Sequence, residues 1–186
     1  MGSWGITAFQ SDAGLDAVIY IRKNALPENG KMELGKIIEE MKKEQWVVPD
    51  VKNCESHTGP MALAEIIMQY QNHDLSRLYR DDEICDNYKQ FKDMTSFTAD
   101  KDSVKWLRDY ISDTLKNRIK GAEYAAKNST DDWDQWGGWF EEKNWIGWQN
   151  HMKTLVNSMD ELLSSPDEMV ELIEPQEQTE GSVMQM

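Results

Sequence analysis

Four side chains with metal-binding chemistry, Cys54, His57, His73 and Cys85, are the first candidates for a reactive site. Thiolates and imidazoles are the usual zinc ligands, but the intervals between these four hold two, fifteen and eleven residues, a spacing on which no compact zinc site is built. They are expected to be unrelated loop and core residues. Asp131-Asp132-x-Asp134 is the next candidate, because clustered carboxylates can hold a divalent cation for hydrolysis or act as a glycosidase pair. No histidine or basic side chain lies nearby to complete such a site. A phosphate-cradling glycine loop, a nucleophile elbow and paired zinc-helix histidines are missing too. His151 falls beside an apolar stripe, where a structurally satisfied or exposed imidazole is the default. The expectation is a protein that is not an enzyme and that uses no cofactor and no metal.

The carboxylates say more as a surface than as a site. The chain has 34 acidic and 20 basic residues, a net charge of −14. Residues 1–130 hold 21 acids against 18 bases, whereas 131–186 hold 13 against 2, so −11 of that charge falls in the last third. Such a field disfavours phosphate backbones and anionic membranes and favours a basic partner, above all one that itself binds nucleic acid. On a helix, Asp160, Asp167, Glu168, Glu171 and Glu174 would present successive carboxylates, since residues three and four apart lie about 5 to 6 Å from each other at Cβ. That interval is close to the spacing of phosphates, so the row could act as a DNA mimic in a basic groove. A merely solvated acidic face is the alternative.

The stretch from Asp131 to Trp148, DDWDQWGGWFEEKNWIGW, concentrates five of the chain's eight tryptophans. A buried tryptophan removes roughly 150 to 250 Å² from water, so five in eighteen residues make either a packing hub beneath a loop or an exposed contact surface. Gly137-Gly138 would break a helix and re-aim Trp139 relative to Trp136. Acids and rings together give the expected partner-binding set: Asp131, Asp132, Asp134, Trp136, Trp139, Glu141, Glu142, Asp167, Glu168 and Glu171.

The elements that must position these residues read as helices. After an extended arm, MGSWGITAFQ, whose Trp4 and Phe9 are expected to tuck into the core, Ser11 or Asp12 caps a helix that ends near Leu26 and Pro27. Leu34, Ile37, Ile38 and Met41 form one stripe of a helix from about Lys31 to Gln45. Thr58-Gly59-Pro60 opens a helix to about Asn72 that is apolar on most faces. Residues 74–97 read as irregular. Thr98 or Asp100 then caps the longest helix, about 100–127, with Val104, Leu107, Ile111, Leu115, Ile119 and Ala122 on one face. Asn144 can cap the last long helix, whose Trp148, Met152, Leu155, Met159 and Leu162 make a seam suited to the 100–127 helix. Pro166 opens a short acidic extension. The expected fold is all-α, a single-domain helical bundle of about five or six helices over 1–173, with 174–186 a disordered acidic tail.

Two cysteines 31 positions apart and no signal-peptide pattern point to a reducing cytoplasm, and no run reaches the length of a membrane span. Ile6 stands where a myristoylation site needs Ser or Thr. The opening Gly2-x-Trp4-Gly5-x-x-x-Phe9-x-x-Asp12, with Asp16 following, resembles the N-terminus of an uncharacterised bacterial domain family that begins Met-Gly-x-Trp-Gly. That family has no assigned activity and implies no catalytic residue. The chain as a whole, from SDAGLDAVIYIRK through TSFTADKDSVKWLRDYISDTLK to WGGWFEEK, resembles small proteins carried by mobile genetic elements of gut Firmicutes. Among these are the anti-CRISPR proteins, inhibitors of type II CRISPR nucleases. The resemblance implies a non-enzymatic Cas9 inhibitor, one that binds Cas9 with its guide RNA and blocks target-DNA engagement. The other reading is a helical scaffold or immunity-type interaction module that binds through the tryptophan-rich segment.

Overall fold

The computed structural model describes residues 2–79, 88–128 and 135–173. Ser11 is the first helix cap: its hydroxyl accepts the Gly14 amide at 3.0 Å, and α1 runs Asp12–Tyr20. The backbone then widens into one π turn, Ile21–Ala25, closed by the Leu26 amide on the Ile21 carbonyl at 3.1 Å. The α2 helix, Leu34–Met41, buries Leu34, Ile37, Ile38 and Met41 as its stripe requires. In α3, Gly59–Gln71, the Thr58 hydroxyl accepts the Met61 amide and Pro60 occupies the first turn. Met61 through Ile67 are buried on every side, which makes α3 the central helix.

The long helices are α4, Lys101–Asn128, and α5, Glu142–Ser164. Asp100 caps α4 by accepting both the amide (2.8 Å) and the hydroxyl (2.6 Å) of Ser103. Leu107 and Ile111 of α4 and Trp148, Met152, Leu155 and Met159 of α5 are fully buried where the two helices pack. Lys101 reaches the end of α5, Arg108 meets Asp160 at 2.9 Å, and Arg118 meets Gly137 just before α5 begins, so the pair runs antiparallel. The Lys101 ammonium donates to the carbonyls of Leu162 (3.2 Å), Leu163 (2.7 Å) and Ser165 (2.5 Å). The Leu162 carbonyl also accepts the Ser165 amide at 3.3 Å, and a cation is favoured at the negative pole that these last carbonyls form.

Five expectations need correction. The fold is mostly helical but not all-α: β1 (Lys31–Glu33), β2 (Ser96–Asp100) and β3 (Met169–Glu171) form a three-stranded sheet in that order. The β1–β2 pair is parallel, Met32 beside Phe97, and β2–β3 is antiparallel, Ala99 opposite Val170. Lys31–Glu33, read as the first turn of a helix, is a strand because Met32 gains full burial there. The acidic extension after Pro166 is likewise a turn and a strand instead of a helix, since pairing to β2 satisfies backbone groups that an isolated acidic turn would leave to water. Asn144 lies inside the first turn of α5, and Glu141 occupies the cap position without a side-chain cap. Trp4 is 61% exposed, while Phe9 is half-buried against the core. Residues 174–186, read as the tail, lie outside the described residues.

Candidate functional site

The tryptophan segment is built around a turn that only glycine allows. Gly137 and Gly138 have φ of +60° and +83°, and a Cβ on Gly137 would sit 2.7 Å from the Trp145 ring. Arg118 of α4 donates to the Gly137 carbonyl and holds the turn to the helix pair. Burial lowers the pKa of this guanidinium, with Cys54 opposing, and its Nε–H has no acceptor among the described residues. Beyond the turn, Trp145 and Trp148 stack at 5.4 Å between ring centroids, 10° from parallel. The Trp148 indole N–H donates to the Ser56 carbonyl at 2.8 Å, and Trp139 packs 5.6 Å from the His57 ring.

Trp139, Trp145 and Trp148 are thus plugs between α4, α5 and the 54–58 loop. Trp139 is only 8% exposed, so it is not available as an anchor for a partner, and Trp136 is half-buried against the core. Among the described residues, the large apolar groups exposed here are Phe140, 84% exposed, and Ile146, 47% exposed. Sequence reasoning missed both. Ile146 had a usable signal: at about 100° per residue it cannot share the buried face of its neighbours Trp145 and Trp148.

The acids divide into two groups. Glu141 and Glu142 are exposed at the start of α5, where Glu141 pairs with Lys143 at 2.6 Å. Asp167, Glu168 and Glu171 are exposed beyond its other end. Glu142 and Glu161 are nineteen residues apart on one helix, which sets the two ends about 28 Å from each other. Asp131, Asp132 and Asp134 lie outside the described residues. The expected single row of carboxylates does not form, because Asp160 is on α5 and bound to Arg108 while Glu171 is on a strand.

A buried polar cluster under the N-terminal arm was not anticipated. Glu65, on the otherwise apolar α3, accepts the amides of Ala8 (2.7 Å) and Phe9 (3.4 Å) and pairs with His151 Nε2 at 2.6 Å. As the one acid within 61–70, it was the signal to look for. His57 lies nearby: its Nε2 is 3.1 Å from the Gly5 carbonyl and its Nδ1 is 2.9 Å from the Ser56 hydroxyl. The carbonyl requires Nε2 to carry the proton, so Ser56 donates to Nδ1. Burial holds this imidazole well below its usual value, at about 4; the Gly5 carbonyl opposes that shift, and His151 and Arg118 add to it. A hydroxyl donating to an imidazole is the geometry of a nucleophile and its base, but an imidazole of that pKa is a weak base at neutral pH. The pair therefore reads as a clamp on the arm.

The remaining metal candidates do not converge with it. The Cys54 thiol lies 3.5 Å from the carbonyls of Lys52 and Asn117, His73 follows the end of α3, and Cys85 is outside the described residues. Among the described residues no helix is long and apolar enough to cross a membrane.

No family model matches this chain, and no curated protein or solved structure is significantly similar to it.

Proposed function

We propose that this is a non-enzymatic acidic inhibitor that binds a basic nucleic-acid enzyme, Cas9 with its guide RNA, and keeps target DNA from engaging. One observation carries the reading. The carboxylates of Glu142, Glu161, Asp167, Glu168 and Glu171 are exposed, and among the described residues none of them is in an ion pair. They belong to the part of the chain with the largest excess of acid, and a groove built for phosphates would supply the missing cations. Phe140 and Ile146 beside Glu141 and Glu142 add the apolar contact that charge alone lacks.

The test is to purify the protein with a panel of guide-loaded Cas9 orthologues and follow binding and target-DNA capture by gel shift. Binding that weakens with salt, together with loss of DNA capture, is the expected result. If no orthologue binds and none loses DNA capture at micromolar protein, the inhibitor reading is dropped. The 84% exposure of Phe140 favours a second reading, a scaffold or immunity-type module that docks through the tryptophan segment. That module would form a complex insensitive to salt, because apolar burial is not screened.

A further inference from the structure

At the far end of α5 the surface opens into a cleft of about 710 Å³, walled by the end of α3, by α5 and by β3. Its floor is apolar: Met68 and Tyr70 from α3, Leu162 from α5, and Val170 and Leu172 from β3 and the residue after it. Its rim is polar and carries two carboxylates, Glu161 from α5 and Glu171 from β3. Neither is in an ion pair among the described residues, although the chain pairs Asp160, next to Glu161, with Arg108.

Three features of this cleft share one sign. The carboxylates are negative. α3 ends at Gln71 and Asn72 on the cleft wall, so its negative pole opens there. The amide of Asn157, which is exposed, and the hydroxyl of the buried Ser158, which donates to Gln71 Oε1 at 2.5 Å, add oxygen acceptors to the wall. The one ionisable group of the other sign is His73, an imidazole and not a fixed cation.

We infer that this cleft receives an arginine side chain from an extended basic segment of a partner protein. An arginine carries an apolar three-carbon stem that the floor would cover and a planar head with five donors that a rim of several acceptors would divide. Lysine offers three donors on a compact, strongly hydrated ammonium and matches such a rim less well. The volume exceeds one side chain, which leaves room for the flanking backbone. The inference shares with the proposed function the sign of the partner's charge and two carboxylates, Glu161 and Glu171, but it stands or falls without Cas9.

The experiment uses the full chain labelled with nitrogen-15 and titrates it with acetyl-Gly-Arg-Gly-amide while backbone amide shifts are followed. Saturable shifts are expected at Asn72, His73, Asn157, Ser158, Glu161, Glu171 and Leu172, with weak binding in the millimolar range as befits one side chain. The E161Q/E171Q variant should lose about tenfold in affinity or more, since two charge-assisted contacts are removed. Both positions are exposed, so its spectrum elsewhere should stay that of the parent. The citrulline peptide, of the same shape without the charge, should not shift these amides, and the lysine peptide should bind more weakly than the arginine one. Shifts scattered over the acidic surface, equal binding by the citrulline peptide, or unchanged affinity in E161Q/E171Q would each overturn the inference. So would tighter binding of free spermidine than of the arginine peptide at the same amides, because the cleft would then be a polyamine site.

Discussion

Gly137 shows how much one residue decides in this protein. Its left-handed backbone and the Trp145 ring 2.7 Å from the place of a Cβ leave no room for a side chain. Gly137→Ala should lower unfolding free energy by about 1 to 3 kcal/mol through strain and overpacking, read as a fall in the midpoint of urea unfolding. Leu155, fully buried between the long helices, belongs to a different mechanism: Leu155→Ala leaves a cavity and should cost about 2 to 5 kcal/mol by the same measurement. Phe140→Ala should do the opposite of both. At 84% exposure its loss should change stability by less than about 0.5 kcal/mol, while a partner bound at the tryptophan segment should dissociate faster, as surface plasmon resonance would show.

At the scale of elements, two clamps hold pieces that would otherwise fray. Lys101 joins the start of α4 to the end of α5 through three carbonyls, so Lys101→Met keeps the stem, removes the donors and should cost about 1 to 2 kcal/mol in urea unfolding. Hydrogen exchange should show the loss first in the last turn of α5. The second clamp fixes the N-terminal arm through His57 on Gly5 and Glu65 on Ala8 and Phe9. His57 has a folded pKa of about 4 against an ordinary value of 6.5, so the folded protein holds it neutral while the unfolded chain takes up a proton. Its contribution is therefore complete above pH 6.5 and is lost as pH falls from 6.5 toward 4, at up to about 1.4 kcal/mol per pH unit. A His57→Gln variant can still donate to Gly5 and has nothing to titrate there. Its stability should fall less steeply across that window in urea titrations at stepped pH.

For the whole molecule, what matters is that opposite ends of α5 are both acidic and that exposed apolar groups accompany each, Phe140 and Ile146 at one and Met169 at the other. If the partner is steered by charge, E141K/E142K should slow association with a basic partner and flatten its salt dependence while leaving dissociation nearly unchanged. Much of this molecule was already legible from its residues. The stripes of α2, α4 and α5 and the Thr58-Gly59-Pro60 start depend on neighbours within a few positions, so local spacing was enough to find them, and it narrowed the caps to Ser11 or Asp12 and Thr98 or Asp100, of which the structure uses Ser11 and Asp100. The acidic imbalance is likewise a property of composition alone. The strands were not legible, because three to five residues are too few to show a usable period and Met32 becomes a strand residue only by meeting Phe97. The tryptophans were visible as a hub, but which of them face inward was decided by the 54–58 loop and by Arg118, which meet the segment only in the folded chain. Glu65 and His151, 86 positions apart, form a buried pair for the same reason. Short-range periodicity is written into the chain, whereas burial of a particular side chain depends on which distant surface arrives to cover it, and here the packing of α3 and α4 against α5 supplied that surface.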